Sequence, residues 1–487
     1  MVNILATEEA AQLIKTPPIP IQIYDRETLI EAILESIGDD NITIAIYNGA
    51  WKDYMRVREL LVRKGLNPYL YYIIDTLEFK LSPLDPSQIL LSKYSMAMAS
   101  QSNKALFKIE PSKTVDRRTL LRGGIQGLMS YKPAPIMYNE AVCGSWKYCT
   151  NCVESCPQKA LVGKPPRVNL DACTGCGICV SSCPFGLLFM PQLNVEAFDY
   201  FIDKIREKYR EPAFLVISCY SALDSLANYL GNSQASNLFV LEVDCPGWIS
   251  QYHLIQAVAR GFKPVLFCDD DQLSLCGGAE TVNKWLKELE PLGVYPSITR
   301  TVEELAEALA SPVNVRDLGL EESIIKNKTL IYKVLYEYGV EELTVSSPLV
   351  GNIMVDDDKC LLCDTCMNMC PFKAIYLDKS GDKVRLLFRQ DRCVACGICE
   401  KTCPYNALKL EYKYKKENTG KWVPVAEDEV ARCRRCGRPI GSKKHLMFLE
   451  KKLRESGVDE WVLEQLWLCE RCKVQALIER QLKKNAS

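Results

Sequence analysis

The sequence predicts a multidomain protein of mixed α/β and α+β class, with two α/β domains that contain parallel sheets and several small cysteine-rich modules. Three observations predict this. The 487 residues suffice for about three to five domains. Short strand-like apolar runs alternate with helical stretches in two segments of the chain. The 24 cysteines cluster at C-x2-C spacings, which is typical of metal-binding modules in a reducing compartment.

These patterns divide the chain into six segments. They are an α/β domain without metal ligands (1–132), a first cysteine module (133–195), a second α/β domain (196–320), a helical connection (321–348), a second cysteine module (349–412) and a small C-terminal cysteine domain (413–487). Short matches at 118–121 and 328–331, each ahead of a cysteine module, indicate an internal repeat of an α/β domain, a helix and a cysteine module.

The first segment has no cysteine and shows an α/β pattern. The apolar run over 42–47, closed by Asn48-Gly49, predicts a buried strand. A helix over 53–64 and a second strand over 69–74 follow.

Three cysteine runs share the spacing C-x2-C-x2-C-x3-C-P. They are Cys173, Cys176, Cys179 and Cys183; Cys360, Cys363, Cys366 and Cys370; and Cys393, Cys396, Cys399 and Cys403. Three thiolates from one tight loop cover three irons of a cubane, while the fourth cysteine points towards the neighbouring cluster. Glycines such as Gly175, Gly177 and Gly397 permit the tight loop, and the proline fixes the direction in which the chain leaves it. Zinc or free thiols are the alternatives.

A fourth run is a variant, with five residues between its first two cysteines. It contains Cys143, Cys149, Cys152 and Cys156. Together the four runs resemble two copies of a bacterial-type ferredoxin domain, each with two [4Fe-4S] clusters. The resemblance implies two ferredoxin-like 2[4Fe-4S] modules with crossed ligation. The implied ligand groups are set I (Cys143, Cys149, Cys152, Cys183), set II (Cys156, Cys173, Cys176, Cys179), set III (Cys360, Cys363, Cys366, Cys403) and set IV (Cys370, Cys393, Cys396, Cys399).

Four further cysteines lie in the second α/β domain. Strands predicted over 214–218, 238–243 and 264–267 place Cys219, Cys245 and Cys268 just past their C-terminal ends, the edge at which open α/β sheets bind ligands. Cys276 follows in the next loop. The order of these elements resembles the delta subunit of methyl-viologen-reducing hydrogenases, although Ala222 stands where that family has a second cysteine. The resemblance implies a [2Fe-2S] cluster. Inert core cysteines or another metal are the alternatives.

The C-terminal domain carries two C-x2-C pairs, Cys433 with Cys436 and Cys469 with Cys472, separated by a long helical insert. Four thiolates in this arrangement make a closed tetrahedral site that stabilises a small domain. The pattern looks like a structural zinc knuckle, and a mononuclear iron is the alternative.

The composition and missing motifs exclude several classes of function. A net charge of −1 gives no electrostatic footprint for nucleic acid. No apolar run approaches the roughly 18 residues of a membrane span, and we expect a cytoplasmic protein. There are two histidines, His253 and His445, and no nucleotide-binding glycine motif. Because every cysteine is assigned to a four-thiolate site, we predict no catalytic residue.

The sequence therefore predicts four [4Fe-4S] clusters, one [2Fe-2S] cluster and one zinc ion in an electron-transfer subunit. Subunits of this type serve hydrogenases, formate and aldehyde oxidoreductases and heterodisulfide reductases, so the expected partners are a large catalytic redox subunit and a soluble ferredoxin or similar carrier. The alternative is a heterodisulfide-reductase-like enzyme that acts at a cluster itself. A protein in which the clusters are only structural is a third possibility.

Overall fold

The computed structural model describes residues 2–37, 41–100, 107–109, 129–131, 133–137, 139–145, 148–233, 235–269 and 279–485. The chain forms two compact units, Met1–Val340 with Val345–Leu349, and Glu341–Thr344 with Val350–Ser487. In these described ranges no helix is both long enough and apolar enough to cross a membrane.

The first unit begins with a four-stranded parallel sheet in the order β2-β1-β3-β4. The strand predicted over 42–47 is confirmed as β3, and the helix predicted over 53–64 begins three residues earlier because Gly49 caps it. The elements are β1 (Val2–Thr7), α1 (Glu8–Gln12), β2 (Ile21–Tyr24), α2 (Arg26–Ser36), β3 (Ile42–Tyr47), α3 (Ala50–Arg63), β4 (Tyr71–Asp75), α4 (Glu78–Leu81) and α5 (Pro86–Ala99).

The first cysteine module follows and is built from very short elements. An outer antiparallel strand pair, β7 with β10, and an inner hairpin, β8 with β9, frame three short helices. The elements are β5 (Phe107–Ile109), β6 (Met129–Tyr131), β7 (Ile136–Met137), α6 (Glu140–Ser145), α7 (Asn151–Glu154), β8 (Leu161–Val162), β9 (Arg167–Val168), α8 (Ile178–Ser181) and β10 (Leu188–Phe189).

The second α/β domain contains a parallel sheet in the order β12-β11-β13, and its first helix packs against α5 of the first domain. The three predicted strands are confirmed. The elements are α9 (Val195–Arg206), β11 (Ala213–Cys219), α10 (Leu223–Asn232), β12 (Leu238–Val243), α11 (Gln251–Ala259), β13 (Phe262–Phe267), α12 (Ala279–Leu289), α13 (Val302–Ala310) and α14 (Leu330–Glu337).

The two α/β domains share one sheet topology, with the strands in the spatial order second, first, third, fourth. The order β2-β1-β3-β4 corresponds to β12-β11-β13, with Thr299 bridging Phe267 in the place of the fourth strand. This correspondence supports the predicted internal repeat. Residues 118–121, one of the two short matches on which that prediction rests, lie outside the described residues.

The second unit joins the second cysteine module to the C-terminal residues. An outer pair, β15 with β18, and an inner hairpin, β16 with β17, repeat the plan of the first module. The elements are β14 (Glu342–Thr344), β15 (Asn352–Val355), α15 (Thr365–Met369), β16 (Ile375–Asp378), β17 (Lys383–Phe388), α16 (Ile398–Lys401), β18 (Leu408–Glu411), β19 (Lys413–Lys415), β20 (Val423–Arg432), β21 (Pro439–Ser442), α17 (Lys443–Glu455), α18 (Glu460–Leu466) and α19 (Glu470–Asn485).

One sheet crosses the boundary expected at residue 412. Strand β20 pairs antiparallel with β17 of the cysteine module, and the order of the sheet is β16-β17-β20-β21. Ala426 of β20 lies in the same apolar core as Cys360 and Phe388. The long strand after residue 422 is therefore part of the module's own core, and the separate C-terminal structure begins after it.

Candidate metal centres

Each regular cysteine run turns its loop with two residues in the left-handed backbone region. These residues follow the first cysteine of the run by two and by four positions. Only some of these residues are glycines. The loop shape is therefore common to the cysteine spacing and does not require glycine at every such position. With φ between 50° and 76°, they are Gly175 and Gly177, Leu362 and Asp364, and Ala395 and Gly397.

The cysteine before the proline in each of the four runs accepts a hydrogen bond from the backbone N–H four residues later. Such N–H groups stabilise thiolate charge and tune a bound cluster. The variant run shares this feature, which indicates that its second half is built like the others. The N···S distances are 3.2 Å for Ala160 to Cys156, and 3.3 Å for Leu187 to Cys183, Ala374 to Cys370 and Ala407 to Cys403.

The thiols of set I are neighbours, including the one whose spacing is unusual. Burial, followed by the charges of Cys183, Cys149 and Cys143, raises the pKa of Cys152 to about 12. Cys143 lies on α6, and part of the insertion after it lies outside the described residues. The longer spacing thus still brings Cys143 to the other three thiols.

The four cysteines of set II line one cavity. Its remaining walls include the apolar residues Pro135, Leu161 and Val168, together with Gln158 and Thr174. Burial and then the neighbouring cysteines of set II, together with Cys152 of set I, raise the pKa of Cys179. Sets I and II therefore lie side by side.

Sets III and IV repeat this arrangement in the second unit. Burial, followed by Cys360, Cys363 and Cys403, raises the pKa of Cys366 to about 12. The cysteines of set IV line a cavity together with Ile353, Phe388 and Leu410, among others. The pKa of Cys399 is raised by burial and then by the other cysteines of set IV and by Cys366.

These four groups fit [4Fe-4S] clusters. Buried thiolates that raise one another's pKa remain ionised only when a cation is bound among them. A group of sulfur donors in a largely apolar cavity suits an iron–sulfur cluster. The described cysteines form no disulfide with one another. The crossed assignment of ligands stays a prediction, although each implied set corresponds to thiols that the structure brings together.

Three of the four cysteines in the second α/β domain lie at one edge of its sheet. Cys219 is the last residue of β11 rather than just past it, because it still pairs with Val243 of β12. Cys268 directly follows β13, and the Sγ atoms of Cys219 and Cys268 are 2.8 Å apart. Cys245 lies two residues past β12. Cys276 lies outside the described residues, so the fourth ligand of the expected [2Fe-2S] cluster stays a prediction.

The loop of Cys245 touches the loop of set II. A Cβ atom added to Gly247 would lie 2.5 Å from the carbonyl oxygen of Cys176 and 3.5 Å from the Sγ of Cys245. Next to it, the indole N–H of Trp248 donates to the carbonyl oxygen of Gly175 at 2.8 Å. The backbone of Cys176 in set II and the thiol of Cys245 in the expected [2Fe-2S] site therefore both lie against Gly247.

The C-terminal cysteines form the most compact thiol group. Their four sulfurs lie within 4.8 Å of one another, which agrees with a single ion, because metal–sulfur bonds of about 2.3 Å place sulfurs roughly 4 Å apart. Burial opposes ionisation of Cys433, but backbone N–H groups of Cys469, Arg435 and Cys436 outweigh it and lower its pKa to about 6. Among the described residues this group fits one tetrahedral metal ion, which can be zinc or iron.

Sequence reasoning missed the residues of the first domain that contact the cysteine loops. Lys93, Trp51 and Arg58 bind Glu242 or Asp244, the two acidic residues just before Cys245. The sequence contained a signal for these contacts, because two carboxylates at the end of a buried apolar strand require buried partners.

Comparison with known proteins supports 4Fe-4S domains at the regular cysteine runs. Residues 359–407 match the 4Fe-4S dicluster domain family and residues 166–189 match the 4Fe-4S binding domain family. The chain is 40% identical over 53 residues to the ferredoxin-type protein NapF of Haemophilus influenzae, a match that covers 9% of this chain and 30% of that protein. The chain thus spans under a third of the length of that relative. These likenesses support an iron–sulfur protein with 4Fe-4S domains of ferredoxin type.

Proposed function

We propose that this chain is a cytoplasmic electron-transfer subunit that carries single electrons between a large catalytic redox subunit and a soluble ferredoxin or similar carrier. The catalytic subunit would be of the hydrogenase, formate or aldehyde oxidoreductase, or heterodisulfide reductase type. Four [4Fe-4S] clusters would be held by sets I to IV, one [2Fe-2S] cluster by Cys219, Cys245, Cys268 and Cys276, and one zinc ion by the C-terminal cysteines. When bound, each cluster takes up one electron from a donor and releases it to an acceptor.

The contact between Gly247 and Cys176 carries this proposal. Electron tunnelling falls steeply with distance, so two redox groups whose protein ligands touch exchange electrons far faster than groups on separate domains. The backbone oxygen of Cys176 and the sulfur of Cys245 approach the same Gly247. A chain whose metals are only structural does not require this approach, whereas electron transfer between the two sites does.

The surroundings of the thiols support a carrier rather than a catalyst. Backbone N–H groups directed at sulfur favour the added negative charge of a reduced cluster. Set II and set IV line largely apolar cavities, which limit the contact of the metal with water. With four protein thiolates assigned to each cluster, no metal position is left open for substrate.

A redox experiment on the full chain, purified without oxygen, tests this function. Stepwise reduction by dithionite should deliver one electron per cluster, and oxidised ferredoxin or a viologen dye should then remove them. The same preparation should not turn over hydrogen, formate, an aldehyde or a heterodisulfide. Steady turnover of any of these substrates by the isolated chain would favour the enzyme alternative. Metal centres that accept no electrons would favour the remaining alternative, a protein in which the clusters are only structural.

A further inference from the structure

The first α/β domain has no metal ligand of its own, yet its side chains bind the chain on both sides of the expected [2Fe-2S] site. Strand β12 leads into Cys245, with Asp244 immediately before that cysteine and Glu242 three residues before it. The ammonium group of Lys93 lies 2.6 Å from the Glu242 carboxylate, and the indole N–H of Trp51 donates to it at 2.8 Å. All three of these side chains are buried.

Arg58 of helix α3 holds the second acidic residue. Its guanidinium forms an ion pair with Asp244, with Nη2 donating to Oδ2 at 2.8 Å. The Tyr69 hydroxyl donates to the same Oδ2 at 3.0 Å and itself accepts from Arg58 at 3.2 Å. Both charged side chains are largely buried, with 14% and 18% of their surface exposed. Water therefore screens this pair only weakly.

The same guanidinium also reaches the other side of the site. It lies over the ring of Tyr220, 5.3 Å from the ring centroid, and Tyr220 directly follows Cys219. It lies over the Tyr69 ring as well, and that ring packs against Trp248 with centroids 6.0 Å apart. One arginine thus contacts residues adjacent to two of the expected ligands.

We infer that Arg58 is a positioning residue for the expected [2Fe-2S] cluster, which orders the Asp244–Cys245 segment and neutralises the Asp244 carboxylate so that the cluster is reduced beside a balanced charge. This inference rests on the [2Fe-2S] cluster of the proposed function. It assigns to the first α/β domain, which binds no metal itself, the task of setting the reduction potential of its neighbour.

The sign of the effect follows from electrostatics. Reduction adds one negative charge to the cluster, so an uncompensated carboxylate nearby disfavours reduction and an uncompensated guanidinium favours it. Removing Arg58 should therefore lower the potential, and removing the charge of Asp244 should raise it. Removing both charges should return the potential close to its original value, because the pair is neutral in both cases.

The experiment is a redox titration of the full chain with dithionite and mediators, followed by electron paramagnetic resonance of the [2Fe-2S] signal. We expect Arg58→Met to shift the reduction equilibrium at least tenfold towards the oxidised cluster, equal to 59 mV for a one-electron couple. Asp244→Asn should shift it in the opposite direction, and Arg58→Met with Asp244→Asn should restore it. Arg58→Lys should stay near the wild type because it keeps the charge.

Arg63→Met is the matched control, since Arg63 lies on the same helix and its side chain is 70% exposed. Equal potentials in Arg58→Met, Asp244→Asn and Arg63→Met would overturn the inference. So would shifts of the same sign in both single variants that persist in the double variant. If Arg58→Met loses the cluster, the inference is tested by whether Asp244→Asn alone raises the reduction potential. A wild-type chain with no [2Fe-2S] signal would remove the proposed cluster itself, which is a different failure.

Discussion

Gly177 and Gly247 lie backbone against backbone, although 70 positions separate them in the chain. A Cβ added to Gly177 would lie 2.5 Å from the carbonyl oxygen of Gly247. Real Cβ atoms do not approach oxygen so closely, so both positions must remain glycine for the loop of set II to reach the loop of Cys245.

Gly247→Ala should therefore separate the two loops. We expect a loss of stability of about 1–3 kcal/mol from overpacking. Stopped-flow reduction should show slower electron exchange between the set II cluster and the [2Fe-2S] cluster. The control is Gly231→Ala, because Gly231 lies on α10 with open space where its Cβ would stand. Unchanged exchange in Gly247→Ala would contradict the proposed route.

Metal analysis of the chain purified without oxygen should give about 18 irons and one zinc per chain, because four [4Fe-4S] clusters, one [2Fe-2S] cluster and one zinc ion together use all 24 cysteines. A result near 16 irons would remove the [2Fe-2S] cluster. Two zinc ions with far fewer irons would remove most of the assignment.

Cys183→Ser should damage the cluster of set I, since the fourth cysteine of a run is expected to serve the neighbouring cluster. Cys156→Ser is the reciprocal variant and should damage the cluster of set II. Spectroscopy that assigns the loss in Cys183→Ser to the set II cluster would refute crossed ligation.

Cys436→Ser should release the C-terminal metal and unfold residues 433–485 while the iron–sulfur absorption persists. Residues 423–429 should remain protected, because this part of β20 is paired along β17. Limited proteolysis and metal analysis check this, with Met447→Ala, an exposed change on α17, as the control. Bleaching of the iron–sulfur absorption in Cys436→Ser would show that the two parts are not independent.

Lys93→Met should destabilise the first unit by roughly 3–5 kcal/mol, because it leaves two buried carboxylates, Glu78 and Glu242, without a counter-charge. The midpoint of anaerobic thermal unfolding measures the effect. Lys52→Met provides the control, since Lys52 makes only an exposed hydrogen bond to Asn228. Equal midpoints for the two variants would show that the buried charges are dispensable.

The sequence by itself determined the local chemistry of this protein. The cysteine spacing predicted the tight loops, such as the one over 173–177, because one short segment supplies three ligands. The strands over 42–47 and 238–243 followed from apolar runs, because a short buried strand needs little beyond its own residues and a closing turn. The C-terminal thiol group followed from two C-x2-C pairs for the same reason.

Only the tertiary structure decided how these local pieces depend on one another. Arg58 with Asp244, and Gly177 with Gly247, are pairs whose members look unremarkable within their own segments. A carboxylate in a predicted buried strand indicates that it has a buried partner, but the sequence does not show which of the 60 lysines and arginines is that partner. Likewise, a glycine near a cysteine permits another segment of backbone to approach closely, but the sequence does not show which segment does so. These contacts arise from the packing of distant segments, which no local pattern encodes.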